Sequence, residues 1–142
     1  MRLSEFSWSN SFRVRWSETD AQGVVFNARY LDYADIAITE YWRAAGLRQG
    51  HPEEALEFHV ARATVNFRKP IKPEEMLSVT ARTTKFGRTS MTYQVAIFGN
   101  GGDDDLRADV ELVYVHVDLA THQSTPFPSW LPEKIAAFDA RA

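Results

Sequence analysis

Between Tyr30 and Ala45 the apolar residues fall three and four apart, and no other stretch of the chain commits so firmly to one conformation. Tyr30, Leu31, Ala34, Ala37, Ile38, Tyr41, Trp42 and Ala45 follow the helical period. Asn27 is placed to cap the first turn through its side chain, and Asp32 and Asp35 lie near the positive end of the macrodipole. Gly46 can adopt the left-handed conformation that closes a helix. From Ala28 to Ala45 such a helix runs roughly 27 Å, at about 1.5 Å per residue. Tyr33 and Ile36 add apolar groups off the Leu31/Ile38 stripe. A helix apolar around most of its girth needs cover on more than one face.

The rest of the chain supplies strands to cover it. Phe12, Val14 and Trp16 alternate with Arg13, Arg15 and Ser17 ahead of the helix. Residues 47–57 are polar and broken by Gly50 and Pro52, with a short helical turn expected near Glu53–Leu56. A strand from Phe58 to Lys69 sets Ala63, Val65 and Phe67 against Thr64, Asn66 and Arg68, and Pro70 and Pro73 close it. Leu77, Val79 and Ala81 mark a third strand ending near Gly87, and Met91, Tyr93, Val95 and Ile97 a fourth. Gly99 to Asp105 is a solvated hairpin turn. Leu106 to Asp118 forms a fifth strand, apolar on both faces in its second half as a covered central strand is. Leu131, Ile135 and Phe138 mark a short terminal helix.

Grouped strands and a segregated helix argue an α+β fold, with a five-stranded antiparallel sheet wrapped around one long central helix. One sheet covers one helix face, so the other calls for a partner subunit and predicts at least a homodimer. Residues 1–142 hold no linker or internal repeat and read as a single domain.

Composition narrows the function. A net charge of −3 offers no basic footprint for nucleic acid. The absence of cysteine removes disulfides, thiolate metal sites and a Cys nucleophile. No run approaches the ~20 apolar residues of a membrane span, and the first ten residues lack a secretory signal, so a cytoplasmic location is expected.

The chemistry concentrates where Asp20 precedes the helix. Read alone, Asp20 is a turn or capping residue. The other possibility is catalytic: a carboxylate just outside a helix N-terminus stands beside unpaired N–H groups that can hold a developing oxyanion. Gly23 lets the backbone turn tightly there.

The run Asp20-Ala21-Gln22-Gly23-Val24-Val25-Phe26-Asn27-Ala28-Arg29-Tyr30-Leu31 resembles the hotdog-fold thioesterases of the 4-hydroxybenzoyl-CoA thioesterase family. Phe67-Arg68-Lys69-Pro70 resembles that family's aromatic-basic-Pro strand end, and Gly87-Arg88-Thr89-Ser90 its turn between the third and fourth strands. The order of elements matches from Phe12 to Asp118. The chain departs at Asn27, where the family often has His or Tyr, and near Phe26 and Phe67, where it often has Tyr. The resemblance implies an acyl-CoA thioesterase with its site between two subunits and no metal or redox cofactor. It implies Asp20 as nucleophile or general base, the Asn27 backbone N–H as carbonyl donor, and Gly23 shaping the turn. It also implies a dimer of dimers.

Arg68, Lys69, Lys85 and Arg88 are then candidates for the phosphates of CoA, with Thr89 and Ser90 hydrogen bonding to it. Taken singly, each basic residue is equally an ordinary sheet-edge charge. Phe26 and Tyr30 are candidates for the acyl pocket, and core packing is the alternative for Tyr30. Glu18 is expected to face solvent and Glu40 to lie on the polar helix face. His51, His59, His116 and His122 lack metal spacing. Two rivals remain: a non-catalytic acyl-CoA binder, and a hydratase or dehydratase. The second normally needs a His near the helix, and none lies between Asp20 and Gly46.

Overall fold

The computed structural model describes residues 1–47 and 56–141. Its strands are β1 (Asn10–Arg13), β2 (Phe58–Phe67), β3 (Met76–Phe86), β4 (Ser90–Phe98), β5 (Leu106–Asp118) and β6 (Gln123–Ser124). Among the described residues two α-helices accompany them, α1 (Arg29–Ala45) and α2 (Trp130–Asp139). All pairings are antiparallel in the order β1-β3-β4-β5-β2, with the two-residue β6 folded back onto the end of β5. The expected five strands are therefore present, with β6 in addition. The helical turn expected near Glu53–Leu56 lies mostly outside the described residues, as does His51.

Helix α1 lies against the concave face of the sheet, chiefly on β3 and β4. Tyr30, Tyr33, Ala34, Ala37, Ile38 and Tyr41 are buried there. They meet alternate residues of the strands, among them Leu77, Val79, Ala81, Met91, Tyr93, Val95, Val110 and Leu112. Two residues exchange the places that their spacing suggested. Leu31 is 44% exposed and Tyr33 is fully buried, because the centre of the packed face falls on Tyr33, Ala37 and Tyr41. Tyr33 therefore needs no partner subunit to cover it.

Helix α2 closes the far end of the core with Leu131, Ile135 and Phe138, as its spacing predicts. Tyr41 donates to Asp139 Oδ1 at 2.7 Å, and Asp139 Oδ2 accepts from the Thr83 N–H at 3.0 Å, so α1, α2 and β3 are tied at one point.

The first strand is shorter than its alternation suggested. Pairing stops at Arg13, and the chain turns through a 3-10 helix, Trp16–Glu18, that leaves Trp16 67% exposed. Phe12 and Val14 do face the core.

Strand β2 stands apart. It pairs with β5 on one side only, and its apolar residues include Val60 and Phe67, each more than half exposed. A register shift between Val60 and Arg62 marks a bulge. A ten-residue strand with a free edge and apolar residues in the open is what soluble chains usually protect.

A candidate active site at the mouth of the central helix

The segment before α1 is held by a small backbone ladder. Thr19 and Val25 form an isolated antiparallel bridge, and the Asp20 N–H donates to Val24 O at 2.9 Å. The Gly23 N–H donates to Asp20 O at 3.1 Å with Gly23 at φ 76°, a conformation open to glycine without penalty. Within this turn Asp20 is half-buried. Its Oδ1 accepts from the Gln22 N–H at 2.8 Å, an Asx turn, while Oδ2 has no partner among the described residues.

Glu18 does not face solvent as expected. Its Oε1 accepts from the Tyr33 hydroxyl at 3.1 Å and from the Arg15 N–H at 2.8 Å, which pins the turn to the buried face of α1. Burial, with the Glu18 carboxylate beside it, pushes the Tyr33 hydroxyl pKa well above the usual tyrosine range.

Helix α1 begins one residue later than Asn27 as a cap would require. Ala28 is the N-cap, already in helical conformation at φ −64° and ψ −25°, and no side chain caps the helix. The tight turn closed by the Arg29 N–H on Phe26 O at 2.9 Å winds the chain before Asn27 can swing back. Val25 and Phe26 spend their N–H groups on Ile71 O and Glu18 O. Those of Val24, Asn27 and Ala28 find no acceptor among the described residues. These are open donors at the positive end of a 17-residue helix.

Val24 and Asn27 line a cavity of about 240 Å³ together with Val25, Tyr30, Phe67, Arg68, Lys69 and Pro70, and Ala28 lies outside that lining. Two sequence motifs, the helix entry and the end of β2, meet in it. Tyr30 and Phe67 form one wall edge-to-face, with ring centroids 4.8 Å apart. Phe26 is half-exposed and outside the lining, and Asp20 is outside it too.

The basic candidates divide into two groups. Arg68 pairs with Asp109 at 2.8 Å and Lys69 with Asp105 at 3.2 Å, so both are partly neutralised. Lys85 and Arg88 are exposed and have no ion pair among the described residues. They lie, with Thr89 and Ser90, at the other end of the sheet. Phe67 is opposite Ala108 and Ser90 opposite Val115 on β5, a separation of roughly 24 Å at about 3.4 Å per residue. One chain does not bring the two groups together.

The ion cluster behind the cavity escaped the sequence reading. Asp105 belongs to no solvated turn: it is buried and accepts from Arg107 Nε and Nη2 at 3.0 Å each. The Arg107 guanidinium holds the Asp105 carboxyl down at about 2. Glu75 approaches the same guanidinium at 2.8 Å. The available signal was Asp105 and Arg107 two apart at the start of a strand, hence on one face.

Elsewhere Glu40 pairs with Arg43, and His59 contacts His122 at 3.1 Å. His116 is buried with Nδ1 on Thr125 O and Nε2 unpartnered. Among the described residues no three His, Asp or Glu side chains gather as a metal site would require, and no helix is long and apolar enough to cross a membrane.

With this geometry in place, comparison with known proteins is informative. The family model of the thioesterase-like superfamily matches residues 14–135. The acyl-CoA thioester hydrolase YbgC of Escherichia coli O157:H7 is 29% identical over 138 residues, covering 96% of this chain and 97% of that protein. A thioesterase of Thermus thermophilus, solved with coenzyme A and zinc, superposes with a TM-score of 0.80 at 28% identity, covering 97% and 98% of the two chains. A protein of Pseudomonas aeruginosa superposes at 0.84 with 21% identity, over 97% and 95%, and shares the fold. The long helix held in a curled antiparallel sheet is the hotdog fold.

Proposed function

Because the chain belongs to the thioesterase-like superfamily, we propose that it is an acyl-CoA thioesterase, releasing the free acid and CoA. The observation that carries the reading is the unused N–H group of Asn27, a residue that lines a largely apolar cavity beneath the first turn of α1, with the unused N–H of Ala28 next in the chain. As water or a carboxylate attacks the thioester carbon, charge gathers on the carbonyl oxygen, and fixed donors lower that barrier. Losing one such donor typically costs about 3–4 kcal/mol in the transition state.

Asp20 is assigned the attack. Its free Oδ2 either takes a proton from a water that attacks the acyl carbon, or itself bonds to that carbon and forms a mixed anhydride that a water then hydrolyses to the free acid. In both routes the C–S bond breaks, and the CoA thiolate leaves and takes up the proton that the water gives up. The Asx turn fixes Oδ1 and so orients the other oxygen. The reading calls on no metal or redox cofactor.

A second copy of the chain completes this proposal. Two β2 edges joined antiparallel about a two-fold axis set the Phe58 end of one strand beside the Phe67 end of the other. Lys85, Arg88, Thr89 and Ser90 of one copy then share an edge with Arg68 and Lys69 of the next. The exposed Val60 and Phe67, with Leu31 on the helix, support such a join. Lys85 and Arg88, without ion pairs among the described residues, are the better candidates for phosphate. The dimer of dimers and the cytoplasmic location expected from the sequence belong to the same proposal.

One observation favours a second reading, a non-catalytic acyl-CoA binder: Asp20 closes an Asx turn and does not line the cavity. A panel of aromatic, short-chain and medium-chain acyl-CoAs, assayed by thiol release, decides between them. Hydrolysis by the wild type that Asp20→Asn abolishes, with CoA binding retained, supports the enzyme. A wild type that binds acyl-CoA yet cleaves none of the panel supports the binder.

A further inference from the structure

Half of the cavity lining comes from Phe67, Arg68, Lys69 and Pro70, the last residue of β2 and a segment beyond it that has no regular structure to hold it. Besides the ion pairs of Arg68 with Asp109 and Lys69 with Asp105, that segment is fastened to one residue. The Arg107 carbonyl accepts from two successive N–H groups, Arg68 at 2.9 Å and Lys69 at 3.1 Å. Arg107 Nη1 donates to the next carbonyl, that of Pro70, at 2.9 Å. Arg107 thus meets three consecutive residues of the wall, Arg68 and Lys69 through its main-chain carbonyl and Pro70 through its side chain, and the side chain fixes where Pro70 sits. Immediately beyond them Ile71 O accepts the Val25 N–H at 2.8 Å, two residues before Asn27.

The guanidinium is fixed in turn. Its Nε and Nη2 take both oxygens of Asp105, and Nη2 also meets Glu75 Oε2 at 2.8 Å. The Arg107 side chain is 12% exposed, that of Asp105 10% and that of Glu75 21%. Lys69 Nζ also reaches Asp105 Oδ1, so two cations face two carboxylates. The space is tight: a Cβ on Gly99 would collide with both Asp105 and Arg107. A cluster like this is a poor source of stability, since apolar residues of equal volume often do as well or better. Its distinguishing property is direction. A planar fork with fixed donors sets the position of what it binds.

We infer that Arg107 is a positioning residue of the site, holding the Phe67–Ile71 wall, and through Ile71 and Val25 the open donors at Asn27 and Ala28, at the distance hydrolysis needs. This rests on the thioesterase reading. Arg107 touches no substrate and acts through the backbone it anchors.

The test compares Arg107→Lys, which keeps the charge and loses the fork, and Glu75→Gln, which frees one side of the fork, with Asp139→Asn. Asp139 lies at the far end of the core, and its variant serves as a control for lost stability alone. Steady-state kinetics on the best acyl-CoA and thermal melts are measured for each. Arg107→Lys is expected to lower kcat at least tenfold with KM within threefold of wild type, and Glu75→Gln to lower kcat by a smaller factor. Asp139→Asn should lower Tm and leave kcat unchanged well below melting. Wild-type kcat in Arg107→Lys and Glu75→Gln, whatever their Tm, overturns the inference while leaving the thioesterase reading intact. A kcat loss in Asp139→Asn as large as theirs overturns it too, since lost stability would then explain the effect. Should Arg107→Lys not fold, Glu75→Gln carries the same two outcomes. A wild type inert on every thioester overturns the functional reading itself, and the inference with it.

Discussion

The two ends of α1 are built on opposite plans. Every helix leaves orphan carbonyls at its C-terminus and orphan N–H groups at its N-terminus. At the C-terminal end Gly46 turns left-handed at φ 70° and its N–H reaches back to Arg43 O and Trp42 O. The Leu47 N–H also donates to Trp42 O, and Lys134 Nζ caps the Gly46 carbonyl at 2.8 Å. Beneath that end, Tyr41, Trp42, Tyr93 and Tyr114 interlock edge-to-face, and the Trp42 indole donates to the Tyr93 hydroxyl at 2.9 Å. At the N-terminal end no side chain caps the helix, and the N–H groups of Asn27 and Ala28 just ahead of its first residue stand open, Asn27 in the wall of a cavity. The difference teaches where the molecule keeps its rigidity and where it leaves binding capacity unspent. The closed end lets the open end stay open.

The largest effect expected from breaking this arrangement falls at the closed end. Tyr93→Ala removes a fully buried ring and leaves the Trp42 indole without its acceptor, at a cost of about 3–5 kcal/mol in urea unfolding. Next comes an attempt to close the open end. Asn27→Asp sets a carboxylate at the positive pole of α1, worth about 0.3–1 kcal/mol of stability. The same charge, close to the open donors, repels the oxyanion, so kcat should fall about tenfold, as about 1.4 kcal/mol of barrier implies. A rise in Tm without loss of activity would show that these donors do not serve the reaction.

Opening the closed end has an effect of similar size, but on stability alone. Gly46→Ala forces a Cβ into left-handed backbone, at a cost of about 1–2 kcal/mol by denaturant melt. Its kcat should not change, because the reaction lies at the other end of the helix.

The ion cluster behind the site adds a pH signature. Asp105 has a folded-state pKa of about 2, below its value of about 3.9 in an unfolded chain. Its contribution to stability is thus fully present above about pH 4 and is lost as pH falls through about 2. Asp105→Asn should flatten the acid limb of stability against pH in that window, read by circular dichroism. An unchanged limb would mean that Asp105 is not held by Arg107.

How much of this was legible in the sequence follows from the range of the forces involved. The extent of α1, Gly46 and the bounds of β5 were readable because local period and backbone preference decide them. Leu31 and Tyr33 were exchanged because apolar residues run around most of the helix, these two on nearly opposite sides of it, and only the sheet decides which side is buried. Trp16 was read as strand because alternation does not register the 3-10 turn that follows. Asp105 looked like solvated turn because Lys69 and Glu75, which complete its cluster with Arg107, lie far back in the chain. Asp20 and Asn27 stood out through a resemblance to a family. Composition and period assigned them nothing beyond a turn and a cap, and the cap proved to be Ala28.

The smallest effect is expected at Asp32, in the first turn of α1. It pairs with Arg29 at 3.1 Å, with the two side chains 58% and 46% exposed. Exposed pairs of this spacing contribute about 0.3–0.5 kcal/mol, and a first-turn carboxylate adds a comparable dipole effect. Asp32→Asn should therefore lower stability by about half a kcal/mol at low salt and by less at 1 M salt, where the Debye length is only about 3 Å. If the open donors at Asn27 and Ala28 bear the developing charge, removing this nearby anion cannot harm catalysis, and kcat should stay level or rise by less than about twofold. A fall in kcat would mean that Asp32 itself handles substrate, and the open end of α1 would then extend a full turn deeper than its free N–H groups show.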